Sequence, residues 1–439
     1  MTRTPAARRA PQAPFAGNHL NCSAPTPPRP RDVRLDFFRG LGMFIIFMSH
    51  MPMNDWAQFI PARFGFSDAT EIFVFCSGMA SAIAFGRLFD ERGFGIGLAR
   101  VSYRCWQVYW AHIGLFMVLC AAMVFADQIT NSGTKYQGGL NLLHFLQQDT
   151  GALLIGLLTL TYVPNLFDIL PMYLVLLAMI PVVMLLGRIH PIAVFVAMAA
   201  CYALVYWGGL ELSAEPWSDR VWFFNPFAWQ LVFFTGFAFA RGWLPTPPVS
   251  TRLILLAAGV VIGCFPIAYW PIASNVPVLK ETWDMLGPIA SKTNFGLLRF
   301  WHFLAVAYLA YALAGEAGAR LRGGAVRVIC KVGQQALGVF MAGVFLSMTF
   351  GVFIDEFGRT AVNVAIANLT GFALLIAVAY VAEFYKSAPW RKAAGPRPAS
   401  AAAQQGGLVG GLGGSATTPQ AVGSAPASDG QDMGLRPAE

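Results

Sequence analysis

The chain has 439 residues, 56% of them hydrophobic and only 12% charged, with a formal net charge of +8. A soluble domain carries about 25% charged residues, so this composition excludes a soluble globular protein and points to an all-α, polytopic membrane protein. The positive charge does not indicate nucleic acid, because the basic residues sit in short segments between apolar runs, where membrane orientation requires them. Seven cysteines show no CxxC pairing, so neither a disulfide framework nor a metal site is expected.

In chain order, residues 1–33 are rich in Pro, Ala and Arg and are expected to be a disordered cytoplasmic segment. No apolar run precedes residue 35, so no cleavable signal peptide is expected. About ten transmembrane helices are expected, at 37–53, 69–88, 101–126, 169–187, 191–208, 226–243, 252–273, 296–316, 333–354 and 361–384. They make a membrane domain over 34–387. Residues 388–439, rich in Gly, Ala, Pro and Ser, read as a disordered low-complexity tail. With both termini cytoplasmic, the only basic residues on the outer side are Arg63, Lys135, Arg220, Lys280, Lys292, Arg299 and Arg359. Residues 127–168 read as an outer loop with a re-entrant or interfacial helix. If 151–163 crosses the bilayer instead, the topology after it inverts.

The first apolar run, RLDFFRGLGMFIIFMSH (34–50), carries the densest chemistry. At about 100° and 1.5 Å per residue, Arg39 and His50 lie on one stripe, roughly 16 Å apart along the axis, and Asp36 falls within about 40° of His50. Ionisable groups at membrane depth face a protein interior or a watery cavity. A neutral imidazole takes a proton from a hydroxyl, and a fixed guanidinium holds a phosphate or carboxylate. Taken alone, Arg39 also fits an interfacial anchor, and His50 a bond to a neighbouring helix.

The second helix opens SDATEIFVFCSG, in which Asp68 and Glu71 match a helix-start capping box. Glu71 also begins an apolar run, where it could orient an imidazole. Ser77-Gly78 reads as a close helix contact rather than a nucleophile. Arg100 and Arg104 lie one turn apart on the third helix, either as surface anchors or as a clamp for an anionic nucleotide. His112, deeper on that helix, reads as packing. PNLFDILPMY and NPFAWQ bring Asn165, Asp168, Trp229 and Gln230 to helix starts, side chains suited to sugars. KTNFGLLRFWHF adds Arg299 and His302 on one face.

RDVRLDFFRGLGMFIIFMSH, FGFSDATEIFVFCSG, DILPMY, NPFAWQ, LLRFWHFLAVAYL and GQQALGVFMAGVFLS, running from residue 31 to about 347, resemble the OpgC family in order and spacing. Members of that family transfer succinyl groups to osmoregulated periplasmic glucans. More distantly, Arg39 and His50 with ten residues between them, and EIFVFCSG, are similar to motifs of the acyltransferase-3 superfamily. There Glu71 replaces the usual Asp, and Val101 stands where a second Arg is common.

The resemblance implies a multi-pass enzyme of the bacterial inner membrane, embedded in the lipid bilayer. It would use acyl-CoA, most simply succinyl-CoA, as donor substrate, with no permanently bound cofactor. The acceptor would be a glucan hydroxyl, with glucan-synthesis proteins as partners and no nucleic acid. On this reading His50 is the base or acyl relay, Asp36 or Glu71 orients it, and Arg39 steadies the thioester or CoA. Arg100 and Arg104 hold CoA phosphates, while Asp68, Asn165, Asp168, Trp229, Gln230, Arg299 and His302 face the acceptor or acyl group. A transporter of a glycan or small anion is the competing class, but no internal repeat supports it. Transfer of a different acyl group, such as acetyl, to another envelope glycan stays open.

Overall fold

A computed structural model describes residues 32–390. The two terminal segments expected to be disordered lie outside these residues, apart from their innermost positions. Among the described residues, ten long helices form the frame: α1 (Val33–His50), α2 (Ala69–Glu91), α3 (Phe94–Thr130), α4 (Ile169–Ile189), α5 (Pro191–Gly208), α6 (Pro226–Arg241), α7 (Thr251–Ala268), α8 (Leu297–Ala314), α9 (Ala336–Phe357) and α10 (Ala361–Ser387). No strand occurs among the described residues; Ser213 and Val221 form an isolated bridge.

Local chemistry sets the boundaries. Asp32 caps α1 by accepting the Arg34 N–H, and Asn225 caps α6 by accepting the Phe227 N–H, each followed by a chain with few breakers. Gly209 and Gly242 end α5 and α6 in the left-handed conformation, which glycine adopts without steric cost. Helix α7 stops at Ala268 rather than running to 273, because Tyr269 is extended before a separate turn, Trp270–Ala273, that holds Pro271. Helix α3 is longer than expected at both ends. A π-helical turn, Ala82–Gly86, interrupts α2 without breaking it.

Eight of these helices are long and apolar enough to cross a membrane. The two others are α1, which carries Arg34, Asp36 and Arg39, and α6, which has 16 residues. Both lie in the interior of the helix assembly. Helix α1 packs on α2, α9 and a short helix, Gly324–Gln334, and α6 packs on α2, α5 and α4. An all-round apolar helix such as α6 is stable where neighbours cover every face. Its crossing with α2 is close because Gly78 and Gly236 lack side chains. A Cβ at Gly78 would lie 1.9 Å from the Phe233 carbonyl oxygen, and one at Gly236 would lie 2.3 Å from that of Phe75. Ser77-Gly78 is thus a packing device.

Residues 127–168 fold as three short helices, Lys135–Gly139, Leu143–Gln147 and Thr150–Thr159. The last has ten residues, about 15 Å of rise against the ~30 Å of a hydrocarbon core, so it is too short to cross. Asp127, near the end of α3, anchors the segment by accepting the Tyr136 and Gln137 N–H groups at 3.0 and 3.1 Å.

Candidate active site

Helix α1 ends on His50, and the geometry there differs from the rest of its length. The imidazole is half-buried, and its Nδ1 has no hydrogen-bond partner among the described residues. It borders two cavities, of about 750 Å³ and about 480 Å³. The larger one lies among the last turn of α1, the first turn of α2, the 165–169 segment entering α4, the 219–224 loop, and Lys292 with Thr293.

The capping box expected at α2 is present. The Asp68 carboxylate accepts the Thr70 N–H at 2.7 Å, and Glu71 accepts the Asp68 N–H at 2.8 Å. Both acids also meet cations from 224 or more residues away. Lys292 Nζ lies 2.5 Å from Asp68 Oδ2. Arg299 donates to Glu71 at 2.6 and 2.8 Å, and reaches Asp68 at 3.4 Å. Glu71 is fully buried, and a buried charge is tolerated only when paired and hydrogen-bonded. Burial would raise the Asp68 carboxyl, but Lys292 and Arg299 hold it well below the usual carboxylate range.

On the opposite wall, Asp168 accepts the Phe223 N–H at 2.8 Å. Burial pushes its carboxyl up to about 6, against that hydrogen bond and the charge of Arg220. Arg220 pairs with Glu215 at 3.0 Å and donates to the Val163 carbonyl at 2.6 Å, while its Nε has no partner among the described residues. The Lys292 ammonium stands 6.0 and 5.8 Å from the ring centres of Phe223 and Phe224.

Of the residues singled out from sequence, His50, Asp68, Asn165 and Asp168 come together around the larger cavity. The others line neither cavity. Trp229 is fully buried and donates its indole N–H to the Lys292 carbonyl at 2.9 Å, so it braces the wall from behind. Gln230 spends its amide on the Met198 carbonyl at 2.9 Å. Neither side chain reaches the cavity wall. Arg299 is committed to Glu71 and Asp68. His302 is buried and bonded through Nδ1 to the Ser67 hydroxyl at 2.8 Å, beneath the turn that enters α2.

The two acids expected to orient the imidazole are engaged elsewhere. Glu71 holds Arg299, and Asp36, about 21 Å back along the helix, accepts from the Gln334 side chain at 3.1 Å. Arg39 is half-buried, with its Nε unpartnered among the described residues. Arg100 is exposed against the Tyr103 ring, and Arg104 donates to Gln107 at 3.2 Å. His112 is fully buried beside Phe167, as expected of a packing residue.

Sequence reading missed Lys292, Asp219 and Arg220 as cavity residues. Lys292 lies in the same stretch as Arg299, and its outer position was the one available signal. Asp219 and Arg220 sit in a loop without periodicity, and none pointed to them.

An imidazole with a free ring nitrogen beside a roomy cavity is placed to accept a proton from a bound hydroxyl. Carboxylates, an amide, two cations and three phenylalanine rings around that space provide hydrogen-bonding and stacking groups suited to a polyol. Comparisons with curated proteins and with solved structures return no match. The family model described as OpgC protein matches residues 31–387, which takes in every element of this site, and the chain belongs to the OpgC family.

Proposed function

We propose that this protein is an inner-membrane acyltransferase that moves a succinyl or related acyl group from acyl-CoA to a hydroxyl of a periplasmic glucan. Family membership supports transferase activity in a membrane setting. The observation that carries the reading is His50, with an unpartnered ring nitrogen, on the wall of a cavity of about 750 Å³ rich in sugar-binding groups. Both termini are cytoplasmic on this reading, so the cavity opens outward and the acceptor enters from the periplasm.

His50 takes the proton from the acceptor hydroxyl, and the oxygen attacks the acyl carbonyl. A C–O bond forms, the C–S bond of the thioester breaks, and the imidazolium returns its proton to the leaving thiolate. Asp68, Asn165 and Asp168 orient the sugar. Arg39, about 16 Å back along α1 from His50, steadies the CoA portion of the donor, and Arg100 and Arg104 hold the CoA phosphates.

His50→Ala tests this. Cells carrying it are expected to make glucans without the acyl mass increment, with protein level and membrane insertion unchanged. Wild-type substitution in that variant rejects the catalytic role. Labelled succinyl-, acetyl- and glutaryl-CoA all leaving the glucan without an ester rejects acyl transfer.

A further inference from the structure

The smaller cavity beside His50 differs in chemistry from the larger one. They share Ser49, His50, Asn165 and Leu166, so the imidazole stands where the two meet. Beyond that shared wall the smaller cavity is lined chiefly by Met53, Met123, Leu140, Met348 and Val352. Its polar side chains are bonded to one another: Lys135 pairs with Asp355, and the Tyr136 hydroxyl donates to Asp355 and Glu356 at 2.6 Å each. These groups form one polar cluster, enough for a single charged end, whereas most hydroxyls of a sugar placed there would lack partners, at a cost for each one. The larger cavity, with Asp168, Asp219, Arg220 and Lys292, carries no such penalty.

We propose that the smaller cavity is the acyl pocket of this enzyme: it takes the short carbon chain of the group being transferred, and Met348 and Val352 of α9 limit its length. The proposal rests on the acyl-transfer reading above and adds where the acyl group lies. A transfer between two molecules requires both to reach the same base in near-attack geometry. Two chambers of unlike polarity meeting at one imidazole meet that requirement, with the polyol in one and the alkyl chain in the other. Methionine walls are unbranched and polarizable, and adapt to a flexible chain. A chain ending in a carboxylate also finds a partner. The Lys135 ammonium has three N–H donors, Asp355 is its one ion-pair partner among the described residues, and its side chain is 56% exposed.

The test uses the full-length protein in membrane vesicles, one glucan acceptor, and acetyl-, succinyl- and glutaryl-CoA as donors, reading relative rates of ester formation. Val352→Trp fills the cavity and is expected to lower the succinyl-to-acetyl rate ratio by about ten-fold or more, the effect of a lost methylene-sized space. Met348→Ala enlarges it and is expected to raise the glutaryl-to-acetyl ratio several-fold. The apparent KM for glucan should stay at the wild-type value in both. Unchanged donor ratios in Met348→Ala, or a shift in glucan KM without a shift in donor preference, overturn the acyl-pocket assignment. A wild-type protein that esterifies glucan with none of these donors instead overturns the underlying reading. If Val352→Trp fails to fold, Met348→Ala still decides the question.

Discussion

The two ends of α1 carry similar polar residues on one stripe, yet they are built for different purposes. At the Arg39 end the helix is pressed against Gly324–Gln334. A Cβ on Gly333 would sit 1.9 Å from the Asp36 carbonyl oxygen, and one on Gly40 2.0 Å from that of Ile329. Asp36 is buried and hydrogen-bonded to Gln334. At the His50 end the backbone contacts open into two cavities. One end holds the helix in place, and the other presents a base. The contrast shows that a shared helical face does not imply a shared environment: close packing is what fixes a reactive group, and space is what makes it reactive.

The ion cluster beside the open end offers the strongest challenge to that contrast. Arg299→Ala leaves Glu71 fully buried without its main cation. A loss of about 3–5 kcal/mol is expected, partly restored by adding Glu71→Gln. Thermal unfolding in detergent measures both, and an unperturbed melting temperature would show that the cluster does not brace the cavity.

Acidity at the cavity wall comes next. Asp168 has its carboxyl raised by burial from 3.8 to about 6, so the folded protein holds this proton more tightly than the unfolded chain. The associated stability is complete below 3.8 and is lost as pH rises through about 6, on the order of 3 kcal/mol at most. Asp168→Asn is therefore expected to be more stable than wild type at neutral pH and equal to it in acid. Melting curves collected across that window, with and without the substitution, should converge only at the acidic end.

The packed end predicts a smaller effect. Gly333→Val forces a side chain against the α1 backbone and should destabilise the fold by about 1–3 kcal/mol. Chemical denaturation read by tryptophan fluorescence would test it; indifference to the bulk would mean that the crossing is loose. Smallest in stability is the pair Arg100→Ala and Arg104→Ala, within about 0.5 kcal/mol. If these arginines grip the donor, its KM rises about ten-fold, the worth of a charge-assisted bond to phosphate. An unaltered KM would reduce them to surface anchors.

Much of the frame was legible in the sequence. The apolar runs marked the long helices, Asp68 and Glu71 announced the start of α2, and Gly78 marked a close crossing. Each of these depends on residues a few positions apart, where helical periodicity and capping geometry apply directly. The amphipathic helix Gly324–Gln334 escaped notice because its Arg327 and Lys331 broke the apolar pattern.

Within the site, the angular arithmetic for Arg39 and His50 rests on α1 being continuous from Val33 to His50 and says nothing about what faces each of them. Glu71 and Arg299, 228 residues apart in the chain, find each other only after α2 and α8 pack. The same packing turns the Trp229 indole away from the cavity and toward the Lys292 carbonyl. By itself, then, the sequence determined the long helices, the cap of α2 and the family, because these follow from local pattern and motif order. Tertiary structure alone decided which polar groups neutralise one another and which remain unspent beside open space, since burial and partnership come from helices that meet far apart in the chain.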